Sequence, residues 1–219
     1  MKNIYSLVMI ATVISSQAME DVKHQLAQHI PTLGWNSFTY TKNELISLQN
    51  TLTKLMQTND ALLTSHLNSV NTAITKYLTS ITYHPARSLS PARSNEILQK
   101  EIYHPLVQLI CEIESKTNST VSTLAQHITQ LKWNSHTYLE EEINTLSQTI
   151  NVLTERVSKN EMLKNLKNMN QAIKKYNENI RYTNFSGGVS PYRLHEIYEK
   201  EIYKPLVDII CQSILQTQN

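Results

Sequence analysis

The chain carries nearly the same sequence twice, and this constrains its fold more than any other feature. Residues 26–40 read LAQHIPTLGWNSFTY, and residues 124–138 read LAQHITQLKWNSHTY, an offset of 98. Residues 90–111 read SPARSNEILQKEIYHPLVQLIC, and residues 190–211 read SPYRLHEIYEKEIYKPLVDIIC, an offset of 100. Each residue can therefore be weighed against its counterpart in the other copy. A repeat unit of this length lies within the ordinary domain range and can bury a core of its own.

The apolar periodicity is helical in both copies. Leu45, Leu48, Leu52 and Leu55 recur at spacings of three and four, with counterparts Ile143, Leu146, Ile150 and Leu153. Leu63, Leu67, Val70, Ile74 and Tyr77 are echoed by Met162, Leu166, Met169, Ile173 and Tyr176. A third stripe, Ile102, Leu106, Leu109 and Ile113, is echoed by Ile202, Leu206 and Ile209. It then shifts one position, from Ser213 to Ile214. These are one-faced helices, not alternating strands. Only three glycines and six prolines interrupt 219 residues, which also favours long helices. The predicted fold is all-α, as two tandem, internally duplicated bundles of about four helices each, one of them short. Helices are expected near 20–30, 40–58, 60–80 and 94–115, then near 119–130, 138–158, 160–180 and 191–216. Ser90-Pro91 and Ser190-Pro191 read as a cap followed by proline in the first turn. Pro105 and Pro205 fall inside the last stripe, where proline forces a kink or a new helix start.

Residues 1–18 have the layout of a secretory signal peptide. Lys2 precedes a mostly apolar run, and Ser16-Gln17-Ala18 places small residues at the cleavage positions. That run is shorter than the roughly 20 residues a membrane span needs. The expected mature chain is residues 19–116 as the first repeat and 117–219 as the second. It would be secreted or periplasmic, with no integral membrane segment after signal removal. Without Lys2, 19 basic residues face 18 acidic ones, interspersed along the chain. This lacks the basic footprint of a nucleic-acid binder.

Cys111 and Cys211 are the only cysteines and are counterparts of each other. In an exported protein they form a candidate disulfide, which would close a long loop and stabilise by about 4.7 kcal/mol. Each also continues an apolar stripe, where a buried thiol serves equally well.

Catalytic and metal signatures are weak. Glu101-x-x-His104 has the spacing of a helical di-metal motif, but Glu201 is followed at that spacing by Lys204. The Glu140–Glu142 run matches Lys42, Asn43 and Glu44, so the acidic cluster is not shared. No cofactor is expected. His29 and His127 are shared, as lone histidines beside apolar faces. Asn118-Ser119-Thr120 and Asn184-Phe185-Ser186 fit the glycosylation pattern, and neither has a counterpart.

The residues held in both copies give the candidate interaction patch. They are Trp35, Tyr40, Arg93 and Tyr103 in the first copy, and Trp133, Tyr138, Arg193 and Tyr203 in the second. Aromatic and arginine side chains of this kind anchor protein partners. The expected function is a non-enzymatic binding or structural-interaction protein with two similar faces, suited to a repetitive or dimeric protein partner. The alternatives are a carrier of a small apolar ligand held between helices, and an enzyme with an unrecognised site.

Overall fold

A computed structural model of the chain describes residues 16–33, 42–57, 61–82, 93, 96–119, 121–130, 140–156, 160–182 and 197–216. These residues are helical throughout, joined by turns, with no strand among them. The α-helices are α1 (Ser16–His29), α2 (Lys42–Leu55), α3 (Ala61–Thr82), α4 (His104–Glu114), α5 (Ser122–Gln130), α6 (Glu140–Arg156), α7 (Asn160–Tyr182) and α8 (Lys204–Gln216). A short 3-10 turn, Ile30–Thr32, tightens the end of α1 around Pro31. Leu33 N–H closes it onto the carbonyls of His29 and Ile30. Residues 1–15 of the expected signal segment lie outside the described residues, and α1 starts at Ser16.

The apolar stripes face inward as their spacing demands. Leu45, Leu48, Leu52 and Leu55 are buried on α2, and Ile143, Leu146, Ile150 and Leu153 on α6. Leu67, Val70, Ile74 and Tyr77 of α3 are buried, as are Leu166, Met169, Ile173 and Tyr176 of α7. The stripe shift near the C-terminus is real: Ile214 is buried in the place that Ile113 predicts.

At the two internal prolines, where a kink or a new helix start is expected, a new α-helix begins one residue before each proline and is entered through a wide turn. A π-helix, Ile97–Tyr103, runs directly into α4, and a second, Tyr198–Tyr203, runs into α8. His104 N–H donates to the Gln99 carbonyl, and Lys204 N–H to the Glu199 carbonyl, both five residues back. Pro105 and Pro205 come next. Proline has no N–H to give and its ring clashes with the carbonyl four residues earlier. The wider turn moves that carbonyl pattern aside before the ring arrives. π-Helices usually occur as single bulges, so a matched pair of six and seven residues is unusual.

Contacts divide the chain into two compact units. Unit 1 is Met1–Ile113 with Ile214–Asn219, and unit 2 is Glu114–Ser213. The second boundary, between Ser213 and Ile214, is where the apolar stripe departs from its counterpart. Inside each unit the packing follows one scheme. In unit 1, α1 packs on α2, α2 on α3, and α3 on the first π segment. In unit 2, α5 packs on α6, α6 on α7, and α7 on the second π segment.

Candidate functional site

Matched positions in the two units make matched polar bonds. His29 Nε2 lies 2.8 Å from Thr51 Oγ1, tying the end of α1 to α2. His127 Nε2 lies 2.8 Å from Thr149 Oγ1, tying α5 to α6. The Thr149 hydroxyl donates its one proton to the Thr145 carbonyl at 3.2 Å. The remaining bond must then be donated by His127 Nε2–H. Burial pushes both imidazoles below their ordinary pKa, because a charged ring loses its water shell there. Each shared histidine is therefore a lock between helices.

A second matched pair lies beside the π segments. Lys76 Nζ of α3 sits 3.3 Å from Glu101 Oε2, and Lys175 Nζ of α7 sits 3.6 Å from Glu201 Oε2. In unit 1 the cluster extends. Arg93 bonds Glu96 at 2.5 Å and reaches Glu101 Oε1 at 3.6 Å, while Lys100 meets Glu96 at 3.4 Å. The Arg93 hydrogen bond, then that of Lys100, hold the Glu96 carboxyl below the usual carboxylate range. The Arg93 side chain is 44% exposed and that of Lys100 68% exposed, so this is a surface strip of alternating charge. Glu101, once paired with His104 as a metal motif, is engaged by two cations instead. No cluster of three or more His, Cys, Asp or Glu side chains suited to a metal occurs among the described residues.

The aromatic members of the expected patch need correction where they can be seen. Tyr103 and Tyr203 are each 1% exposed. They belong to the core, and the π segments that carry them pack on α3 and α7. Tyr203 stacks obliquely near Tyr198, and Tyr198 meets Tyr176 of α7 edge to face, with centroids 5.9 Å apart. Of the patch residues, Arg93 is the one described at the surface. Trp35, Tyr40, Trp133, Tyr138 and Arg193 lie outside the described residues, as do Ser90-Pro91 and Ser190-Pro191. Cys111 and Cys211 are both buried, each in its own unit. Burial pushes the Cys211 thiol strongly up, and the nearby Asp208 adds to this.

Three polar features were not singled out from the sequence. Lys23 of α1 is a buried cation, 5% exposed at its side chain, held 2.8 Å from Glu20. Glu114, buried at the end of α4, accepts from the Ser119 hydroxyl in the turn that follows, while the Thr117 hydroxyl donates to the Glu114 carbonyl at 2.9 Å. The third is a groove of about 460 Å³ on unit 2, between α6 and α7. Ser147 and Asn151 line it from α6, and Asn170, Lys174, Asn177 and Glu178 from α7, over a floor of buried Ile173. Its sequence signal was present: asparagines seven residues apart on two consecutive helices, Asn144/Asn151 and Asn170/Asn177.

No helix among the described residues is long and apolar enough to cross a membrane. In comparisons with family models, curated proteins and solved structures, nothing matches the chain.

Proposed function

We propose that the chain is an exported, non-catalytic binding or structural-interaction protein, built as two tandem repeats of one helical bundle and offering two similar faces to a protein partner. The observation that carries this reading is the pair of exposed ion pairs, Lys76–Glu101 and Lys175–Glu201, at matching places beside the two π segments. Exposed pairs of this kind contribute roughly 0–1 kcal/mol to stability. Folding alone gives little reason to keep both, whereas two copies of a charged face suit a repetitive or dimeric partner. Binding through both faces raises the effective concentration at the second contact and can strengthen the complex by a factor of about 100 or more. The reading of export rests on the layout of residues 1–18.

The test uses the full chain as bait in its native compartment, followed by affinity measurement with the partner so identified. Glu101→Lys or Glu201→Lys alone should weaken binding by roughly 100-fold, because either change removes the bivalent advantage. The double variant should bind weakest. Wild-type affinity in the double variant would overturn the proposal.

A further inference from the structure

We infer, on the reading of the charged faces as contact surfaces, that each charged strip is self-complementary and docks on the same strip of a second copy of this chain. In unit 1 the strip is Lys76 of α3 with Arg93, Glu96, Lys100 and Glu101 on and beside the first π segment. Their side chains are 35–68% exposed. In unit 2, Lys175 meets Glu201, and Lys200 is exposed. Arg193 and Glu196 hold the two remaining places in the sequence.

These charges are retained where the neighbouring surface is not. Among the exposed described positions of α3, Lys76 is the one whose counterpart on α7 is the same residue. Asn68, Thr72, Thr75 and Thr79 correspond to Lys167, Gln171, Lys174 and Glu178. Beside and along the π segments, Arg93, Glu96, Lys100 and Glu101 all recur in the second copy. Even the buried position between them differs, with Leu98 in one copy and Tyr198 in the other. Exposed ion pairs add little to folding, so identity at these surface positions points to a contact outside the chain.

The alternation of sign selects the partner. Arg93, Glu96 and Lys100 run plus, minus, plus at spacings of three and four residues, with Glu101 and Lys76 beside them. A partner of a single sign would meet a like charge at every second contact, which repels it. An alternating strip turned about a two-fold axis meets its own complement instead. With the axis midway between Glu96 and Lys100, Glu96 of each copy faces the partner's Lys100, as an isologous contact requires. The same operation serves unit 2, where Glu196 and Lys200 hold these places. Ion pairs within one chain are then shared between two, and every charge keeps an opposite neighbour. Because the charges lie at the surface, salt screens the contact.

Sedimentation of the full-length chain over a concentration series tests this. Self-association should appear at about 50 mM salt and be lost at about 1 M, where the Debye length falls to about 3 Å. Two variants follow, Glu96→Lys with Glu196→Lys, and Lys100→Glu with Lys200→Glu. Each should raise the dissociation constant by roughly 100-fold, because like charges then face each other across the axis. Mixed in equal amounts, the two variants should associate again, since each supplies the sign that the other lacks. A mixture of folded variants as weak as either alone would overturn the inference. Should a variant fail to fold, the wild-type salt series still decides, because association equally strong at both salt concentrations would also overturn it. A wild-type chain that stays monomeric at low salt, yet captures another protein through Glu101 and Glu201, would overturn self-docking and leave the proposed function standing. Self-association unchanged in both variants would remove the strips as contact surfaces altogether.

Discussion

At the scale of single residues, His29 and His127 show how burial assigns a role. Both rings are partly buried and hydrogen-bonded, and desolvation lowers their pKa from the ordinary 6.5. The unfolded chain then takes up these protons at higher pH than the folded chain. Stability is complete above about pH 6.5 and falls as pH drops through the interval below it. The thermal midpoint should therefore decline between pH 7.5 and 5.5, and His29→Gln with His127→Gln should flatten that decline. A midpoint unchanged across the range in the wild-type chain would contradict this account. Cys111 and Cys211 are the second residue-scale case. Both thiols are buried away from reagents, and burial also raises the pKa of Cys211, so that less of it is the nucleophilic thiolate. A thiol reagent should find almost none in the native chain and two per chain in denaturant without reductant. Finding none under denaturing conditions would instead establish the Cys111–Cys211 bridge.

At the scale of elements, the π segments carry buried side chains into the core of each unit. The stripe Ile102–Leu106–Leu109 is legible in the sequence because burial selects apolar residues at helical spacing. The wide turn ahead of each proline is not legible, because seven residues are too few to separate its period from an ordinary helix. Tyr103 and Tyr203 enter the expected patch only because both copies hold them; Leu106, Val107 and Ile110 stand three, four and seven residues beyond Tyr103, the spacing of a buried helical stripe. The second π segment packs on α7 through Tyr198 and Tyr176. Tyr176→Ala should cost about 3–5 kcal/mol through loss of a buried ring and the cavity left behind. Tyr198→Leu, which installs the residue found at position 98, should cost less than Tyr176→Ala, because it removes fewer buried atoms. Urea unfolding measures both. Equal costs would mean that the two π segments do not pack interchangeably.

At the scale of the molecule, the two units share one packing scheme and differ in the side chains on their helix faces. The same sequence of helix contacts, the same His–Thr lock and the same Lys–Glu pair recur in each unit. Between α6 and α7 two asparagine bridges, Asn144–Asn177 and Asn151–Asn170, stand where unit 1 has Ile46, Leu78, Thr53 and Asn71. Surface exchanges of this kind change stability little, while core positions lose several kcal/mol on truncation. The charge-reversal variants at Glu101 and Glu201 should accordingly melt within a few degrees of wild type, since the lost pairs contribute roughly 0–1 kcal/mol each. A collapse of the fold in either variant would show that the pairs are structural.

The sequence alone determined the all-helical fold, the inward stripes and the correspondence between copies. Hydrophobic burial acts at a spacing of three and four residues, and a linear pattern records that directly. Tertiary structure decided what depends on residues far apart in the chain. It brought Lys76 to Glu101, His29 to Thr51, and Asn144 to Asn177 across two helices. Pairing of this kind follows from how helices pack and how wide the turn is before each proline, and neither is written into local spacing.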